Sequence, residues 1–161
     1  MTDKIEPRIW TRDGFAEDRF TAEKGAAFMS PEEATGKLGS NLLSVLLLEP
    51  GDEAAAAASR IHEFDAVFIR FAVFSDGRGF STARLLREKY GFKGEIRATG
   101  HFILDQIPYL LRVGFDSFAV THEPTIRRLA EGNTAEVPVY LQPAFADEQR
   151  AGERAWARRK L

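Results

Sequence analysis

The chain contains no cysteine. That single absence excludes disulfides, thiol redox chemistry, thiolate metal sites and cysteine-held iron–sulfur clusters. Histidine is scarce as well. His62, His101 and His122 are the only three, and no two stand at a metal-ligand spacing, so no metal centre is expected. No serine–histidine–aspartate order and no carboxylate pair stands out, which leaves nucleophilic catalysis without support. The strongly apolar stretch at residues 42–48, interrupted only by Ser44, is too short to span a bilayer. The opening MTDKIEPRIW has no basic segment leading into an apolar stretch, so no secretory signal is expected and the cytoplasm is the expected compartment. Nor is there an excess of basic charge. The formal net charge is −2, which argues against non-specific nucleic-acid binding.

What remains is the composition of a globular protein: 44% hydrophobic and 29% charged residues in a chain of 161. That length supports one domain with a real core. Residues 1–41 read as a hairpin and connector. Ile9 and Trp10 precede an Asp13-Gly14 turn signal, Phe15 and Phe20 follow it, and Ser30-Pro31-Glu32-Glu33 looks like one short helix start. Residues 42–143 read as a core of βα repeats. Strands are expected at 42–48, 66–71, 95–99 and 116–120. An edge strand is possible at 137–141, bounded by Pro138 and Pro143. Helices are expected over an alanine-rich stretch from Asp52, over 81–90 before Gly91, over a segment ending at Val113, and over 125–131. Pro108 fits the third helix if Asp105 is its N-cap, because the first turn needs no backbone donor there. Residues 144–161 form a polar tail, basic at its end, with Trp156 as its one large apolar group.

The expected fold is therefore α/β, with four to five mostly parallel strands in one domain and an N-terminal hairpin. Two strand starts echo each other, Phe64-Asp65-Ala66 and Phe115-Asp116-Ser117. Strand spacings of 20 to 30 residues fit right-handed crossovers. Half of a (βα)8 barrel accounts for this pattern, and an open flavodoxin-like sheet is the alternative. Half a barrel leaves an open strand edge, so a homodimer is expected.

Ligands in such sheets bind outside the carboxyl ends of the strands. The polar residues expected there are Glu49, Arg70, Asp76, Arg78, Arg97, Thr99 and His101. Gly77 and Gly79 are read as turning with positive φ just before a helix at Ser81, whose free N–H groups would favour an anion. Arginine suits a planar oxyanion because its fork donates two parallel hydrogen bonds. The plain alternative is structural: Asp76 pairs Arg78, and Arg97 pairs Glu49, Asp76 or Glu95. No GxGxxG and no P-loop lysine accompanies the glycines. Asp105 and Gln106 could orient a ligand from the next helix.

The run FSDGRGFSTARLLREKYGFKGEIRATG, continued by Asp105-Gln106 and by Leu111 to Asp116, resembles the bacterial domain of unknown function 934 family. The resemblance is close over residues 42–120. Members of that family are often labelled oxidoreductases of sulfite reduction and look to be encoded beside assimilatory sulfite reductase. The resemblance thus implies a role in sulfur assimilation, with the reductase or its electron donor as partner. It implies no catalytic residues. The motif residues that carry it include Asp76, Gly77, Arg78, Gly79, Ser81, Arg97, Gly100, Asp105 and Gln106. With no cysteine and no dinucleotide fingerprint, the one cofactor that can be drawn is a flavin, its phosphate on the 77–81 turn. Three expectations follow: an accessory protein with a small-oxyanion site, a barrel-derived enzyme that binds a phosphate or a flavin, or a non-catalytic interaction module.

Overall fold

The computed structural model describes residues 6–35 and 43–135. Seven short strands form a single mixed, mostly parallel sheet in the order β2-β1-β7-β6-β5-β4-β3. They are β1 (Arg8–Thr11), β2 (Gly14–Ala16), β3 (Ala26–Met29), β4 (Leu43–Leu48), β5 (Ala66–Phe71), β6 (Glu95–Gly100) and β7 (Ser117–Val120). From β3 to β7 the strands are parallel neighbours in chain order, with no reversal. The N-terminal hairpin closes the other side: β1 lies antiparallel to β7, with Trp10 opposite Phe118, and β2 pairs β1. Crossovers carry a 3₁₀ helix at Ala54–Glu63 and α-helices α1 (Arg78–Glu88) and α2 (Ile107–Arg112), and α3 (Glu123–Ala130) follows β7.

Several elements depart from the sequence reading. The connector contains β3, which its loose, glycine-rich composition concealed. The alanine-rich segment is a 3₁₀ helix that buries Ala54, Ala57 and Ile61; three residues per turn stack the first two along one line. Helix α1 begins at Arg78 rather than at Ser81. It ends at Glu88 rather than at Tyr90, and Gly91 is left-handed as expected, at φ 62°. Pro108 does fall in the first turn of α2, but Gln106 takes the cap position, and Asp105 belongs to a 3₁₀ turn, Leu104–Gln106. The expected strand at 137–141 and the tail with Trp156 lie outside the described residues.

Alternation along the strands divides the sheet into two faces. Leu46, Val67, Ile69, Phe71, Ile96 and Phe118 belong to the larger core, which also takes the buried residues of every α-helix. The other face carries Val45, Ala66 and Phe68, covered by Phe20 from the loop after the hairpin. The ring of Phe20 meets that of Phe68 edge-on at 5.8 Å.

The echoing Phe-Asp pairs have one structural job. Asp65, just before β5, accepts the backbone N–H of Ser44 at the start of β4, at 2.7 Å. Asp116, just before β7, accepts the N–H of Ile96 at the start of β6, at 2.8 Å. Each aspartate ties the start of its own strand to the start of a neighbour, and Asp116 also binds the Arg87 guanidinium. Arg87 is buried. Its remaining donors reach the carbonyls of Phe92, Gly94 and Gly114. An otherwise apolar helix face admits it because carbonyls and a carboxylate satisfy the guanidinium.

Candidate functional site at the carboxyl edge of the sheet

A cavity of about 440 Å³ opens where β4 and β5 end, between the loop that follows β4 and the first turns of α1. Glu49, Arg70, Asp76, Arg78, Gly79 and Ser81, six of the residues singled out from the sequence, line it together. Leu48, Ile69 and Leu85 are among its apolar walls. Arg70, near the end of β5, donates to Glu49 at 3.0 Å, and both side chains are more than half exposed. Arg78, the first residue of α1, grips Asp76 through two donors, Nε at 2.9 Å and Nη2 at 2.7 Å. Its backbone N–H adds a third bond to the same carboxylate at 3.1 Å. The guanidinium reaches across toward Gly51, where a Cβ would lie 3.9 Å from Nη1. The bidentate grip of Arg78, followed by its backbone N–H, holds the Asp76 carboxyl down at about 2. At the start of α1, then, an anion is already in place, and it belongs to the chain itself.

Arg97 lies elsewhere. It projects from β6 onto the face covered by Phe20 and is 2% exposed. Its Nη1 donates to Asp18 at 2.7 Å, while Nε and Nη2 donate to Glu95 at 3.1 and 2.9 Å. Nε also meets the Ser117 hydroxyl at 3.0 Å. The guanidinium carbon stacks 4.6 Å from the centre of the Phe68 ring. Of the partners expected from the sequence, Glu95 is present; Glu49 and Asp76 serve the cavity instead. Asp18, which the sequence reading did not pick out, completes the set. Sequence distance hid it, since 79 residues separate it from Arg97.

Of the two glycines before Ser81, Gly79 serves packing and a Cβ on Gly77 would meet nothing. Gly77 has φ −78° and Gly79 is not among the positive-φ residues, so the expected left-handed turn is absent. Gly79 is needed for another reason: a Cβ there would sit 2.5 Å from the Phe71 ring. Gly100 does turn left-handed, at φ 84°, and a Cβ on it would strike the Phe71 carbonyl oxygen at 2.3 Å. His101 is exposed, and its backbone N–H donates to that same oxygen at 2.8 Å. Thr99 pairs with Arg70 in register, and its hydroxyl faces the Ile69 carbonyl. Gln106 donates to the Phe74 carbonyl at 2.6 Å and so ties down the loop before α1. None of Arg97, Thr99, Gly100, His101, Asp105 and Gln106 lines the cavity.

A flavin phosphate on the 77–81 turn would have to displace the Asp76 carboxylate from Arg78, as would any acid group that binds there. The lining residues that went unnoticed in the sequence are chiefly Asp52, Glu53, Ala54 and Ala55. The signal was available. They follow a parallel strand directly, at the edge where ligands collect. Among the described residues no cluster of three or more His, Asp or Glu could hold a metal, and no helix is long and apolar enough to cross a membrane.

Residues 45–151, about two thirds of the chain, match the family described as bacterial protein of unknown function (DUF934), and the chain belongs to that family. No curated protein matches it.

Proposed function

We propose, with membership of that family as the premise, that the protein is a ligand-binding accessory of sulfur assimilation. Its cavity would hold the acid group of a ligand between Arg70 and Arg78. One observation carries this reading: two guanidinium groups, 56% and 66% exposed, line the same cavity. Each is held by a carboxylate of the chain, which an incoming acid group can replace with the same forked geometry. Arg78 also brings the start of α1, where the helix dipole favours negative charge.

The sulfur role comes from the resemblance, which implies work beside sulfite reductase. Deleting the gene should produce cysteine auxotrophy on sulfate that sulfide relieves; normal growth on sulfate would remove the assignment. The site itself is tested by thermal melts. Sulfate or sulfite at a hundredfold excess over its dissociation constant should stabilise the fold by about 2.7 kcal/mol, and Arg78→Met should abolish that response. A response that survives in both Arg78→Met and Arg70→Met would place the site elsewhere.

The chain-order succession from β3 to β7 supports reading the sheet as half of a (βα)8 barrel, since a doubly wound sheet reverses its strand order. β2 and β3 are the edges of that sheet, and pairing of a second copy along β3 would make the expected homodimer. Light scattering that reports a monomer at micromolar concentration would argue against it. The enzyme alternative keeps the same cavity, because barrel enzymes work at this edge. Visible flavin absorbance in the purified protein would favour it, and a colourless protein that ignores added flavin would not.

A further inference from the structure

We infer that the ligand of this cavity is amphoteric: a molecule with both an acid and an amine on an apolar body, amino acids being the simplest class. The inference rests on the acid-binding reading above and narrows it. Six charged residues line the cavity, Arg70 and Arg78 against Glu49, Asp52, Glu53 and Asp76. Two positive and four negative groups leave a formal balance of −2. Arg70 offsets Glu49 and Arg78 offsets Asp76. Asp52 accepts the backbone N–H of Glu49 at 2.8 Å. Glu53, at the cap position of the Ala54–Glu63 helix, makes no side-chain hydrogen bond to that helix.

A bare oxyanion is poorly served by this inventory. When it takes the two guanidiniums it releases Glu49 and Asp76 beside it, adding two free carboxylates to two already present. Like charges so close repel. An ammonium on the same ligand gives those carboxylates a partner, so that one molecule satisfies both signs. An inorganic cation is not the answer, because no cluster among the described residues has metal-holding geometry.

Size points the same way. A cavity of 440 Å³ has room for about fifteen waters at ~30 Å³ each and lies within the range of roughly 300–1,000 Å³ typical of organic-ligand pockets. Sulfate would fill a small part of it. Apart from Ser81 and Thr82 the rest of the wall is apolar, and Leu85 stands 37% exposed on α1, where an apolar body would cover it.

L-Leucine, 4-methylpentanoate and 3-methylbutylamine carry the same branched chain with both charges, the acid alone and the amine alone. Isothermal titration of the full chain with each, at neutral pH, separates the cases. Leucine should bind at least tenfold tighter than either relative. Glu53→Gln should weaken leucine and leave 4-methylpentanoate no weaker. If 4-methylpentanoate binds as tightly as leucine, the amphoteric inference fails while the acid-binding reading stands. If all three are silent and sulfate binds in an Arg78-dependent way, the inference fails and the ligand is a bare oxyanion. If the amine alone binds best and Arg78→Met changes nothing, or if sulfate is silent too, both readings fail.

Discussion

Arg97 and Arg78 are the same side chain in opposite circumstances. Each grips a carboxylate two residues before it, Glu95 for Arg97 and Asp76 for Arg78. Arg97 is buried between Phe20 and Phe68, and Asp18 and Ser117 complete its partners. It fastens the loop after the hairpin onto the sheet. Arg78 keeps two thirds of its side chain in solvent and has Asp76 as its carboxylate. A buried ion pair is hard to break because the charge left behind has no water. In the second pair water reaches the guanidinium although Asp76 itself is only 11% exposed, so Arg78 can change its partner at less cost than Arg97. The pairing pattern in the sequence is alike for both; the difference in solvent access assigns one to architecture and the other to the site.

The largest effect should therefore come from Arg97→Met. It would take the shared buried cation from Asp18 and Glu95, leaving Glu95 with Arg19 and Ser117, and urea unfolding should show a loss of about 3 kcal/mol. A loss near zero would mean that the buried cluster does not anchor the fold. Next come the glycines. Gly79→Ala forces a methyl into the Phe71 ring and should cost about 1–3 kcal/mol, whereas Gly77→Ala meets nothing within 4 Å and should leave the midpoint almost unchanged. Equal effects at the two positions would contradict the packing account of this loop. Smaller still, Arg78→Met should lower the melting temperature of the ligand-free protein only slightly, because the backbone N–H of residue 78 still serves the Asp76 carboxylate.

A pH experiment sharpens the contrast at Asp76. Arg78 holds its carboxyl at about 2, below the ordinary value of 3.8. A depressed carboxylate contributes its stabilisation above the unfolded pKa and loses it as pH falls through the folded one. A sulfonate that displaces Asp76 from Arg78 returns that carboxyl toward 3.8, so binding takes up a proton between about pH 2 and 4. Affinity for methanesulfonate, anionic throughout, should rise as pH falls from 5 toward 3, as far as circular dichroism shows the fold intact. In Asp76→Asn the rise should vanish. A pH-independent affinity would mean that Asp76 stays on Arg78 when the ligand binds.

Much of this was legible in the sequence where chemistry is local. The covered strands from β4 onward announce themselves as short apolar runs, and the Asp76-Gly77-Arg78-Gly79 turn sits next to Arg70 because it follows the end of β5, where Arg70 stands. The pairing of Asp76 with Arg78 needs only two residues of separation. Long-range partners were not legible. Nothing near Arg97 points to Asp18, and nothing in helix α1 marks Arg87 for burial, since its acceptors are backbone carbonyls that any sequence supplies. The glycines were misread for a related reason. A glycine can mean positive φ or close approach, and only the Phe71 ring beside Gly79 decides between them. The strand β3 was missed because four residues with two alanines carry little pattern.

The most direct test of the division between the two kinds of arginine is an NMR titration that follows the side-chain Nε–H resonances while sodium sulfate is added at constant ionic strength. The Nε–H signals of Arg70 and Arg78 should shift together along one saturable curve while those of Arg97 and Arg87 stay in place. Movement of Arg97 with no response at Arg70 and Arg78 would contradict the account and put the anion on the opposite face of the sheet.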